Sequence, residues 1–217
     1  MASEILSLLA PPRCGICGAA CHAKRSLCRS CNAGLLAAEP LVGPGPAGID
    51  AVVSAGPHEG AVRALAASLK FGRRLPLAGR AAAAIRAAAP PEMLRGRLVP
   101  VPPDPLRVRI RGFDAAEEIA RSLARITELE VEPCLEREPA RRQVGRPRQA
   151  RLADPPRISA WRTPPRCVAL VDDVWTTGST LSACAKALRA AGAERVVALT
   201  LGHAIPDRRL AREPGQA

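Results

Sequence analysis

Residues 167–180 read CVALVDDVWTTGST. Cys167 to Val171 is an unbroken apolar run, the pattern of a strand buried on both faces. It ends on two acids, Asp172 and Asp173. A loop of small hydroxylated residues follows, with Thr176, Thr177, Ser179 and Thr180 around Gly178. Then Leu181, Cys184, Ala185 and Leu188 recur at helical spacing, and Gly192 closes the helix. Strand, loop and helix N-terminus together form an anion site, because free N–H groups and the positive end of the helix dipole face one point. Gly178 allows close backbone approach, and the hydroxyls of Thr177, Ser179 and Thr180 add donors. The paired carboxylates repel phosphate but suit an adjacent sugar, whose vicinal hydroxyls they accept from. A Walker B strand ends in the same way, yet it requires GxxxxGK[ST] upstream, and the chain has none. Helix capping alone accounts for one Ser or Thr, not for two acids and four hydroxyls.

Working outward, strands and helices alternate. Ala51–Ala55, Leu98–Val101, Val131–Leu135 and Val196–Leu201 read as strands. Residues 59–70 and 76–89 read as helices, and Phe113, Ala116, Ile119, Ala120 and Leu123 mark a third. Alternation of this kind predicts an α/β domain of parallel βαβ units. Residues 39–48 (EPLVGPGPAG) read as a linker or turn, 137–166 as a long irregular segment, and 206–217 as a frayed tail. Residues 1–50 are expected to be one module and 51–217 the main domain.

The net charge is +12, and it is uneven: residues 137–166 hold nine Arg against Glu138 and Asp154. Such a segment is either a solvated loop or a clamp for phosphates. The chain has no Tyr, two Phe and two Trp, which argues against a binder that stacks bases on aromatic platforms. Ile5 to Ala10 is too short and lacks the basic flank of a signal peptide, and no segment approaches the roughly 20 apolar residues of a membrane span. A reducing cytoplasm is the expected location, with no membrane partner.

Five of the eight cysteines fall between Cys14 and Cys31. Cys14-x-x-Cys17 and Cys28-x-x-Cys31, ten residues apart, supply four thiolates for a tetrahedral structural Zn²⁺ of ribbon type. Cys21 and His22 are spare. Cys134, Cys167 and Cys184 occupy apolar positions and are expected to be buried. His58 and His203 have no partner at a recognisable spacing and read as structural or surface residues.

VALVDDVWTTGST closely resembles the signature with which type I phosphoribosyltransferases bind 5-phosphoribosyl-1-pyrophosphate (PRPP). The twin CxxC pairs, LKFGRR at 69–74 and VPVPPDPLRVRIRGFDAAEEIA at 99–120 resemble the ComF subfamily, so the likeness spans nearly the whole chain. It implies a type I phosphoribosyltransferase fold with a small N-terminal zinc ribbon. It also implies PRPP as ligand, Mg²⁺ alongside it, and a link to competence and DNA-uptake proteins with the acceptor unidentified. Asp172 and Asp173 would hold the ribose hydroxyls, and Thr176, Thr177, Gly178, Ser179 and Thr180 the 5′-phosphate. The pyrophosphate loop would be about 102–111, with Arg107, Arg109 and Arg111. A mobile lid at 137–166 would carry Arg141, Arg142, Gln143 and Arg146, with Arg142 joining the two acids in catalysis. The chain departs from that family at Asp114 and Asp154, where Asn is usual, and at His58, where Tyr is expected. A PRPP sensor without turnover and an adaptor that contacts nucleic acid are the competing functions.

Overall fold

The computed structural model describes residues 12–22, 26–71, 75–105, 108–109, 113–138 and 156–204. They form a mixed α/β structure around a five-stranded sheet of order β1-β2-β7-β6-β3. The strands are β1 (Leu41–Gly43), β2 (Ala51–Ser54), β3 (Arg97–Pro100), β6 (Cys167–Trp175) and β7 (Arg195–His203). Strands β2, β7, β6 and β3 run parallel, and β1 is antiparallel on the β2 edge. A separate antiparallel pair joins β4 (Leu135–Arg137) to β5 (Ile158–Ala160). No helix among the described residues is long and apolar enough to cross a membrane.

Strand β6 shows why the sheet must be covered twice. Ala169 and Val171 point into one apolar cluster, Val168 and Leu170 into another, and all four are buried. The first cluster gathers α1 (Arg29–Leu36), α2 (Gly60–Phe71), α3 (Leu75–Ala88) and α4 (Ala115–Thr127). The second gathers α5 (Ser179–Ala190) with Cys134 and Leu135 beside β4. Helix α4 is typical of how the local sequence fixes an element. Asp114 caps it by accepting from the Ala116 N–H at 2.9 Å, Glu117 and Glu118 complement the dipole in its first turn, and Ile119 and Leu123 bury its stripe.

Four expectations require correction. The stretch 39–48 is not only a linker, since Leu41–Gly43 pairs with β2 as an edge strand. Val131 makes a single bridge to Leu98, and the strand expected from 131 begins only at Leu135. The segment 137–166 is not irregular throughout: Arg137 pairs with Ile158, which ties its two ends together. Cys167 is exposed, because it starts β6 at the amino edge of the sheet, whereas Cys134 and Cys184 are fully buried as expected.

Gly96 marks the entry to β3. Its φ is +79°, and a Cβ there would stand 2.1 Å from the Cys167 carbonyl oxygen. A side chain therefore meets both backbone strain and a backbone atom that cannot swing away. Gly96→Ala is expected to cost at least about 2 kcal/mol, read as a lower urea midpoint with an unchanged m-value.

Candidate functional site

The N-terminal cysteines form a compact centre. The Sγ atoms of Cys14, Cys17, Cys28 and Cys31 all lie within 4.8 Å of one another. A tetrahedral ion with metal–sulfur bonds of about 2.3 Å requires sulfurs about 3.8 Å apart, and Cys17 and Cys28 stand at 3.7 Å. Cys28 is also the N-cap of α1, where its sulfur faces the Cys31 N–H at 3.5 Å. Burial alone would raise the Cys14 thiol, but the N–H groups of Cys17, Cys28 and Ile16 outweigh it and bring its pKa down to about 6. Burial, with hydrogen bonds from the neighbouring cysteines, pushes the Cys31 thiol up instead, so the cage is divided in its protonation; it is the four-sulfur geometry that fits a structural metal such as zinc.

The second site lies at the carboxyl ends of the parallel strands, where open α/β sheets bind ligands. Strand β6 continues through both acids to Trp175 rather than stopping at Val171. Asp172 Oδ1 accepts the Asp173 N–H at 2.8 Å, and Asp173 Oδ1 accepts the Val174 N–H at 2.9 Å. Asp173 Oδ2 pairs with Lys70 Nζ at 2.7 Å, from the last turn of α2. Burial, followed by the charge of Asp173, pushes Asp172 well above the usual carboxylate range. Its open edge faces the cleft, so water there relieves part of that penalty.

Beyond the acids the hydroxyl loop is already folded. Thr177 Oγ1 and Ser179 Oγ stand 2.8 Å apart, and the Ser182 N–H donates to the Gly178 carbonyl at 2.8 Å to open α5. Gly178 caps that helix at φ +76°, and a Cβ on it would lie 2.6 Å from Pro46 Cβ. The loop therefore needs glycine for both its backbone angle and its packing. Thr176 to Leu181 enclose a recess of about 50 Å³, which Asp172 also borders. The recess adjoins a cleft of about 330 Å³ whose lining includes Asp172, Asp173, Thr176 and Thr180.

The structure thus gathers Asp172, Asp173 and the loop 176–180 at one place. Arg109 is exposed and does not line the cleft. Arg107, Arg111, Arg141, Arg142, Gln143, Arg146 and Asp154 lie outside the described residues, as do Gly72 to Arg74. Sequence reasoning missed four groups that line the cleft: His58, Lys70, Asp114 and Arg137. For Lys70 a signal existed, since it follows Leu69 at the end of the α2 stripe and so borders the core. Asp114 lies near the two acids, and its pKa rises to about 6, first from burial, against the pull of the Ala116 and Glu117 N–H groups. A scan against protein-family models finds no match, and no curated protein matches the chain.

Two predictions follow from these centres. Protein purified without added metal should carry about one zinc per chain, and Cys14→Ser with Cys28→Ser should abolish it and lower the thermal midpoint, because metal binding and folding of such a module are linked. Metal analysis by mass spectrometry decides the first point and calorimetry the second. For Asp114 the folded pKa of about 6 lies above the ordinary 3.8. Its contribution to stability is therefore complete below the lower value and is lost as pH rises through the upper one. Asp114→Asn keeps the cap and removes that loss. It should raise stability at neutral pH by at most about 3 kcal/mol, since a tenfold change in proton affinity is worth about 1.4 kcal/mol. The advantage should vanish in unfolding curves taken below pH 3.8.

Proposed function

We propose that the chain binds PRPP with Mg²⁺ and belongs with the type I phosphoribosyltransferases, in the ComF subgroup that its sequence resembles. The observation that carries the reading is one arrangement: two acids lie near the carboxyl end of the inner parallel strand β6, and a preformed hydroxyl loop leads from that end into a helix N-terminus. The recess beside Thr177 and Ser179 suits a phosphate, and the carboxylate edge next to it suits a ribose.

The two acids divide the work. Both Asp173 oxygens are engaged, one by the Val174 N–H and one by Lys70, so Asp173 organises the floor. Asp172 keeps one oxygen without a backbone partner, and this is the group that meets the sugar hydroxyls or a magnesium ion. Magnesium would screen the charge on the leaving pyrophosphate. Arg137 borders the cleft and adds positive charge where that group departs. The acceptor is unidentified, and a role in competence or DNA uptake rests on the resemblance. A sensor would bind PRPP without turnover, and a protein that only contacts nucleic acid would not bind it.

Calorimetric titration with Mg²⁺–PRPP tests the reading. Wild type should bind. Asp172→Ala with Asp173→Ala should weaken binding about a hundredfold or more, because hydrogen bonds to charged groups are worth roughly 1.5–3 kcal/mol each. Thr177→Val should lose less, since the loop N–H groups remain. Absence of heat from folded wild type at millimolar PRPP would overturn the proposal.

A further inference from the structure

We propose that the imidazole of His58 is the base that takes the proton from the acceptor in the phosphoribosyl transfer, an acceptor that carries an ionisable N–H or O–H group. The inference rests on the phosphoribosyl reading above and gives a role to a residue that the sequence had read as structural or surface.

Geometry carries it. His58 lines the same cleft as Asp172, Asp173 and Lys70. It follows β2 at the carboxyl edge of the sheet, and its main chain is fixed: its N–H donates to the His203 carbonyl at 2.6 Å, and Pro57 bridges to His203. Its Nδ1 is buried and has no hydrogen-bond partner among the described residues. That nitrogen packs over Gly202, where a Cβ would stand 3.4 Å from it. One ring nitrogen is thus sealed into the protein, which leaves Nε2 to meet a ligand.

The carboxylates of the cleft have other partners, and Asp114, the strongest competitor, is tested below. Asp173 is held by Lys70 and the Val174 N–H. Asp114 accepts the Ala116 N–H, and Asp104 has interactions of its own. Asp172 is the group assigned above to the sugar hydroxyls or a magnesium ion, so bound Mg²⁺–PRPP occupies it. Burial, then Lys70 and Arg63 on α2, hold His58 below its usual 6.5, and Asp173 on β6 opposes them only in part. Arg137 faces the same cleft from β4, and His203 adjoins from β7. The imidazole is therefore neutral at neutral pH, and in the tautomer with its proton on Nδ1 the Nε2 lone pair accepts the acceptor's proton.

The step balances without an external reagent. A bond forms from the acceptor nitrogen or oxygen to the anomeric carbon of PRPP. The bond from that carbon to the pyrophosphate oxygen breaks, and its electron pair leaves with pyrophosphate. The acceptor proton passes to His58 and then to solvent.

Water serves as the probe acceptor, so the test needs no knowledge of the natural one. Pyrophosphate release from Mg²⁺–PRPP is followed against pH for wild type, His58→Gln, Asp114→Asn and His203→Gln, and PRPP affinity is measured calorimetrically for each. In wild type the rate should rise with pH through one step below 6.5 and stay flat above it. His58→Gln should slow release at least about tenfold and abolish the step, while PRPP affinity changes by less than about twofold. His203, whose ring centroid is 6.4 Å from that of Trp175 and which does not line the cleft, should keep both rate and step when changed to Gln. If His58→Gln does not fold, His58→Asn is read in its place. The proposal is overturned if His58→Gln retains the step and the rate. It is equally overturned if Asp114→Asn removes the step instead, or if wild type binds PRPP but releases no pyrophosphate. A wild type that does not bind PRPP fails earlier, at the phosphoribosyl reading, and takes this inference with it.

Discussion

Two carboxylates at the end of a strand with no free face set the terms for the rest of this structure. Strand β6 is covered by helices on one side and by α5 on the other, so its last residues have little water to solvate a charge. A buried carboxylate must find donors or give up its charge. Both outcomes occur here, one residue apart. Asp173 keeps a cation, Lys70, at 2.7 Å, together with a backbone N–H. For Asp172, burial and the charge of Asp173 outweigh the backbone N–H and the Lys70 charge that favour its anion, and its pKa is raised. The pair thus needs one ammonium, and that ammonium fixes where α2 must end.

That requirement explains why α2 is placed as it is. Val62, Leu65, Ala66 and Leu69 bury its stripe against the sheet, and Lys70 follows at the position where the helix rim meets the β6 end. The lysine stem lies along apolar surface while the ammonium reaches the acid. Burial, and then the same ammonium with Arg63, lowers the pKa of His58. One cation therefore acts on two cleft groups: it pairs with Asp173 and disfavours the cation of His58.

What could be read from the residues follows the same physics. The strand at 167, the helix after Gly178 and the cysteine pairs were legible because each is a periodic or spaced pattern. The extension of β6 to Trp175 was not, since Asp is rare in strands and here is held by side-chain bonds to the next N–H. The edge strand at Leu41 was hidden among Pro and Gly, as edges often are. His58 and Lys70 were hidden for a different reason. Their roles come from neighbours 100 or more residues away, at Asp173 and Gly202, and no local pattern records such a meeting. The exposed Cys167 shows the converse, an apolar run whose first member lies beyond the covered part of the sheet.

The cysteine module is joined to this arrangement through the same core. Cys14, Leu27 and Leu35 belong to the apolar cluster that contains Leu65, Leu69 and Leu77. Gly15 lies so close to α3 that a Cβ on it would stand 2.6 Å from Leu77 Cδ2, and Arg80 Nε donates to Ser26 Oγ at 3.3 Å. A loop rich in Cys and Gly cannot hold that contact through its own packing, because it buries few apolar side chains. Four sulfurs placed to bind one ion would supply the missing rigidity, and Cys28 would pass it into α1 as that helix's cap. Helix α1 then packs on α2, the helix that carries Lys70. A metal held there would brace, from outside the sheet, the helix whose last turn pairs Lys70 with Asp173.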